Sequence, residues 1–339
     1  MPSIIHNADL SGRNTFRMKV RCAALVEIDS EEDLLKVDFA ALPQPLMVMG
    51  GGSNLLFRGD FPGTVLHVGI KGVQALEEPG LFRVGAGEVF DDFCAFAAAN
   101  GLWGPENLSL IPGECGASAV QNIGAYGVEA KDIILSIRAW DTAQKRFVEI
   151  QGADCAYGYR ASRFKTEWKG RYIITYVTYR LWVADHPVLD YGGLRKAIPE
   201  DAALTPQLLR DTIIGIRRKK LPDPEETGSA GSFFCNPVIT KEHFARIVAT
   251  ARRDNGDAYE VPHYEVGDMI KVPAAWMIEQ CGFKGQRLGG AQVYQNQPLV
   301  IVNASGHASP DEIIGLENRI IDTIREKYGI TLHPEVEHI

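Results

Sequence analysis

Ile111-Pro112-Gly113-Glu114-Cys115-Gly116-Ala117-Ser118-Ala119-Val120-Gln121-Asn122-Ile123-Gly124-Ala125-Tyr126-Gly127 is the stretch on which the fold turns. Small residues and amides dominate it, and it carries scarcely a charge. Such a segment suits close approach of backbone to a large flat ligand, with Gln121 and Asn122 able to donate and accept hydrogen bonds. A surface omega loop is the competing reading, but such loops seldom hold this much Ile, Val and Ala. The surrounding chain from Trp103 to Glu129 is rich in Gly, Pro, Asn and Ser, so it is predicted to be mostly loop. A loop that long inside a compact protein is usually functional.

Upstream, Leu46-Met47-Val48-Met49 reads as a short buried strand running straight into Gly50-Gly51-Gly52-Ser53-Asn54-Leu55-Leu56. Backbone free of side chains lets N–H groups converge on an anion, which suggests a phosphate cradle. A glycine turn between two strands fits equally well. The Rossmann fingerprint is excluded because Leu55 stands where its third glycine belongs, and no Gly-Lys-Ser/Thr follows to make a P-loop.

Alternating strand patterns occur at 64–69, 81–84, 133–140, 146–150 and 172–183. Helices are expected from Ser30, from Glu88 to a stop at Gly101, and from Thr205-Pro206 to the basic Arg217-Arg218-Lys219-Lys220. Leu221-Pro222-Asp223-Pro224 bars both helix and central strand and marks a domain boundary. Beyond it lies a smaller α+β unit: a helix from about Thr240, strands near 292–294 and 299–303, and a final helix capped by Ser309-Pro310-Asp311-Glu312.

Tyr157 to Lys165 packs three cations among aromatics, and Gly228 to Pro237 offers hydroxyls in what reads as a glycine-flexed turn. The latter lacks the G-x-S-x-G elbow, which argues against a serine hydrolase. The 339 residues, 45% hydrophobic and 23% charged, are those of a soluble multidomain protein. A net charge of −8 argues against a nucleic-acid or anionic-membrane surface. The six cysteines form no C-x-x-C pair and the eight histidines no H-x-x-x-H pair, so no metal site is expected. Reduced thiols and the absence of an export signal in Met1 to His6 point to the cytoplasm.

Taken in order along the chain, these segments resemble the UDP-N-acetylenolpyruvoylglucosamine reductase family. The likeness includes Asn14-Thr15-Phe16, the Gly50 loop, Ile111 to Glu129, Tyr157 to Lys165, Leu221 to Pro237, Trp276 to Gly290, Gln297 to Asn303 and Pro334-Glu335-Val336. Tyr191-Gly192-Gly193 is similar to the tyrosine loop of its longer, type I branch. The chain departs from many members at Ala119, often proline, and at Cys235, often lysine.

The resemblance implies an α+β fold: a vanillyl-alcohol-oxidase-type FAD-binding region of two α+β subdomains plus a smaller α+β substrate-binding domain. The corresponding divisions are 1–70 with the tail from about 331 to 339, then 71–219, then 220–330. It implies noncovalent FAD held by Gly50, Gly51, Gly52, Ser53, Asn54, Leu55, Pro112, Gly113, Gly116, Ala117, Gln121, Asn122, Ile123, Gly124 and Tyr126. NADPH is the implied hydride donor. Arg160 and Glu335 match the pair that activates the substrate carboxylate, and Ser232 matches the proton donor. Tyr191, Lys220, Asn236, Tyr264, Lys271 and Gln297 match positions around the UDP-sugar. A monomer is expected, with no nucleic-acid or membrane partner. Two rivals are an oxidase of the same fold with FAD attached covalently, for which Cys115 is the candidate, and a non-catalytic nucleotide-sugar binder.

Overall fold

The computed structural model describes residues 2–191 and 193–339; Met1 and Gly192, the latter within the expected tyrosine loop, lie outside the described residues. The chain divides into two compact units. One comprises the described residues up to Leu10, Arg21–Gly52 and Asp60–Lys219; the other comprises Ser11–Val20, Ser53–Gly59 and Lys220–Ile339.

The first unit holds two larger sheets and a short hairpin. Strands Ser3–Asp9, Arg21–Ile28, Phe61–Val68 and Leu46–Met49 lie side by side in that order. The first pair is antiparallel and the other two pairs are parallel. In register, His67 stands opposite both Glu27 and Met49. The second sheet is antiparallel, ordered Arg146–Gln151, Ile134–Asp141, Tyr172–Arg180, Leu81–Gly85 and Val73–Ala75. Inward residues of both sheets, including Val26, Leu66, Val84, Ile137 and Val177, share one core. Helix Phe90–Ala99 closes that core with Phe90, Phe93, Cys94 and Ala97. A smaller cluster of Trp103, Leu189, Leu194, Leu209 and Ile213 joins helix Pro206–Lys220 to the irregular chain before it.

The second unit is built on the antiparallel order Gly228–Ser232, Val300–Asn303, Ala291–Val293 and Arg287–Leu288. A three-stranded sheet sets Met269–Lys271 between Val238–Thr240 and Tyr264–Val266. Helix Pro310–Tyr328 starts at a reciprocal Ser309–Glu312 capping box and buries Ile313, Leu316, Ile320 and Ile324, as its sequence predicts. Helix Lys241–Asn255 is capped by Thr240.

Three expectations need correcting. The region from Trp103 to Glu129 is not mostly loop: it contains a 3-10 turn at Glu106–Leu108, helix Cys115–Gln121 and the hairpin Gly124–Ala125 with Val128–Glu129. Leu46–Met49 is not a buried strand, since it forms a sheet edge and leaves Val48 46% exposed. Gly228–Ser232 is a strand rather than a turn, because its glycines hide their pairing with Val300–Asn303 from any propensity argument.

Candidate active site

Strand Leu46–Met49 delivers the chain to Gly50, where two glycine stretches meet backbone to backbone. A Cβ on Gly51 would stand 3.6 Å from Gly113 Cα, and one on Gly50 would stand 3.0 Å from Glu114 Oε2 and 3.4 Å from Ala117 Cβ. The Gly50 backbone thus packs against Glu114 and Ala117 more closely than a side chain would readily allow, and Gly51 lies against Gly113. Behind it lies a feature that sequence reading missed. The imidazole of His67 bridges two carboxylates, Nδ1 to Glu27 at 2.5 Å and Nε2 to Glu114 at 2.9 Å. The bond with Glu114 and then that with Glu27 raise the His67 pKa against the opposing effect of burial. The strand register sets Glu27 opposite His67, and the fold brings Glu114 to the pair.

Helix Cys115–Gln121 ends on Asn122 in the left-handed region, φ 48°. The buried Asn122 amide donates to Gly158 O at 2.8 Å and accepts from Lys131 N–H at 3.0 Å. Its side chain therefore holds the neighbouring segment in place. Three further bonds stitch Tyr157–Lys165 to the same strip. Arg160 Nη2 donates to Gly124 O at 2.7 Å, Lys165 Nζ to Gln121 Oε1 at 2.6 Å, and Ser162 Oγ to Val120 O at 2.6 Å. Arg160 and Tyr126 share the positive φ of Asn122, at 52° and 48°. Non-glycine residues held there mark places where the surroundings over-determine the backbone, as functional sites commonly do. The structure thus brings Arg160 together with the flavin-loop residues expected at 121–126. Tyr191 also belongs to this unit and is 42% exposed.

In the second unit the C-terminal tail lies along the segment after strand Gly228–Ser232. Glu335 N–H donates to Phe233 O at 2.8 Å, Cys235 N–H to His333 O at 2.9 Å, and Phe234 bridges Pro334. Phe233 N–H in turn donates to Leu299 O at 2.8 Å, just beyond Gln297. Ser232 and Glu335 are thus carried by two neighbouring strips of backbone. The Asn54 amide donates to Glu335 O at 3.0 Å, and Glu337 N–H donates to Asn54 O at 3.0 Å. Expected at the flavin, Asn54 uses its side chain to seat the tail. Asn236 Oδ1 accepts from Ala274 N–H at 2.9 Å. Tyr264 and Lys271 are opposed across adjacent strands, with Lys271 Nζ 5.5 Å from the ring centre. Lys220 ends helix Pro206–Lys220 and is exposed.

The side-chain-free backbone at Gly50, Gly51 and Gly113 suits the anionic group expected there, and residues 22–150 match the FAD binding domain family model. The FAD binding domain match on this α+β fold defines the class, an FAD-dependent oxidoreductase. Residues 223–339 match the model of the UDP-N-acetylenolpyruvoylglucosamine reductase C-terminal domain. Proteins named UDP-N-acetylenolpyruvoylglucosamine reductase are 42% identical in Bacteroides fragilis over 97% of this chain and 98% of that one, and 44% identical in Porphyromonas gingivalis over 97% of each. One from Neisseria meningitidis is 39% identical over 99% of this chain and 97% of its own. The crystal structure of the Thermus caldophilus reductase covers all of this chain and 98% of its own, with a TM-score of 0.68 at 21% identity, a likeness of fold. The chain belongs to the UDP-N-acetylenolpyruvoylglucosamine reductase family.

Proposed function

We propose that the protein reduces the enolpyruvyl ether of UDP-N-acetylglucosamine to UDP-N-acetylmuramate with NADPH, supplying a precursor of peptidoglycan. The single observation that carries this reading is identity of 39–44% to reductases of that name along nearly the whole chain. FAD held by the Gly50 loop and the 111–127 strip would supply hydride transfer from NADPH to C3 of the enolpyruvyl group. The chain's own residues supply orientation, charge and a proton.

Arg160 is the natural partner of the substrate carboxylate, because its guanidinium stays charged and offers a planar fork. Its grip on Gly124 O at 2.7 Å supports a fixed direction for that fork. Negative charge develops beside the accepted hydride and delocalises into the carboxylate, so donors facing those oxygens lower the barrier. Glu335 acts with Arg160 on this carboxylate, and Ser232 Oγ delivers the proton that C2 requires. Tyr191, Lys220, Asn236, Tyr264, Lys271 and Gln297 bind the UDP-sugar. Noncovalent attachment of FAD is supported at Cys115: the side chain is fully buried, and burial pushes its thiol far above the range in which a thiolate forms.

The test is the visible spectrum. Purified or reconstituted protein should be yellow, lose its colour to acid precipitation, bleach under anaerobic NADPH, and recover when the enolpyruvyl sugar is added. Protein that takes up no FAD, or reduced protein that the sugar fails to reoxidise, would overturn the proposal.

A further inference from the structure

We propose that Asn107 is a positioning residue that fastens the Tyr191-bearing segment to the hairpin tip at Tyr126 and so sets Tyr191 for substrate. The inference rests on the substrate-binding role proposed above for Tyr191. Asn107 lies in the 3-10 turn Glu106–Leu108 and is 0% exposed. Its single amide nitrogen donates to two carbonyls from distant parts of the chain, Tyr126 O at 2.8 Å and Val188 O at 2.9 Å. A side-chain amide of this length places two protons on one atom between both carbonyls without introducing a charge. A hydroxyl carries one proton, and a carboxylate carries none.

The turn that holds Asn107 is itself pinned. Leu108 N–H donates to Pro105 O at 2.9 Å, and Ser109 Oγ to Glu106 O at 2.7 Å. On the other side, Tyr126 and Gly127 form the tip of the Gly124–Glu129 hairpin, with φ of 48° and 85°. A Cβ on Gly127 would stand 3.3 Å from Tyr191 Cβ and 3.4 Å from Val188 Cγ1, so the segment rests on the hairpin tip in van der Waals contact. Leu189 and Leu194 anchor the same segment in the small apolar cluster. Burial of leucines is non-directional and favours docking without choosing a register. The paired hydrogen bonds supply direction, and in this part-buried setting leaving the two carbonyls unsatisfied carries a cost.

Two variants approach the contact from opposite sides. Asn107→Asp keeps the shape and removes at least one of the two donated protons, and Gly127→Ala adds a methyl against Tyr191 at a φ of 85° that an L residue adopts only with strain. Each is examined in the full-length, FAD-loaded protein by hydrogen exchange and by steady-state and half-reaction kinetics. Exchange across 184–197 should accelerate about tenfold or more, while strands Ile134–Asp141 and Tyr172–Arg180 keep wild-type protection. The KM for the enolpyruvyl-UDP-sugar should rise about ten- to hundredfold, more than flavin reduction by NADPH slows. Should Asn107→Asp fail to fold, Asn107→Ser, too short and with too few protons to bridge both carbonyls, carries the test. Unchanged exchange at 184–197, or faster exchange everywhere, overturns the fastening. Faster local exchange with an unmoved KM overturns the positioning role if Tyr191→Phe does raise KM. If Tyr191→Phe leaves KM unmoved as well, the fastening stands and it is the substrate role of Tyr191 that falls.

Discussion

Glu106 neighbours Asn107 and is 1% exposed, and its carboxyl accepts from the backbone N–H of Gly104 at 2.5 Å. Burial, only partly offset by backbone hydrogen bonds, pushes its pKa from 4.5 up to about 7. A carboxyl whose folded pKa is raised holds its proton more tightly when folded. Its contribution to stability is therefore fully present below pH 4.5 and is lost as pH rises through about 7. The displacement corresponds to roughly 3 kcal/mol between those limits. Glu106→Gln keeps the acceptor for Gly104 and cannot ionise. Thermal melts should show the variant more stable than wild type at pH 8 and the two converging near pH 5. A constant difference across that range would mean that Glu106 ionises in the folded protein as it does in the unfolded chain, with no raised pKa.

Between elements, the Glu27–His67–Glu114 bridge ties two strands of the first sheet to the start of helix Cys115–Gln121, beside Gly50. Because the folded pKa of His67 is raised, this bridge is fully formed below about 6.5 and weakens as pH rises through the higher folded value. His67→Gln should thus lower Tm most at pH 6, by an amount equivalent to about 1–3 kcal/mol, and progressively less toward pH 9. FAD affinity measured by fluorescence should follow the same trend, since the bridge backs the glycine cradle. A pH-independent difference would reduce the imidazole to a space filler. None of this was legible in sequence, although the elements it joins partly were. Helix Pro310–Tyr328 declares itself through a capping box and a buried stripe. Helix Cys115–Gln121 does not: it is seven residues long and built from Gly, Ala and Ser, with no amphipathic period to read. Gly228–Ser232 likewise becomes a strand only through its partner. The tail at Glu337–His338 pairs with Leu55–Leu56 across nearly the whole length of the chain, and no local pattern predicts such a pairing.

At the scale of the molecule, residues proposed for different steps are carried by different units. The glycine cradle, the 111–127 strip and Arg160 belong to the first, whereas Ser232 and Glu335 belong to the second. The proposed reaction consists of two half-reactions that make unequal demands on these groups. Reduction by NADPH needs the flavin held and oriented but needs no proton at C2 of a sugar ether. Reoxidation needs that proton, and Ser232 ends its strand one residue before Phe233, whose carbonyl seats Glu335. Ser232→Ala removes a hydroxyl at the end of an otherwise intact strand, so FAD content and Tm should stay near wild type. Anaerobic stopped-flow should then find bleaching by NADPH nearly unchanged and recovery with the enolpyruvyl sugar slowed by about 10²–10⁴-fold, the usual loss when general acid catalysis is removed. Ser232→Cys, which keeps a weaker and bulkier donor, should fall between the two. Equal slowing of both half-reactions would instead point to displaced flavin, and an unaffected second half-reaction would move proton delivery to another group.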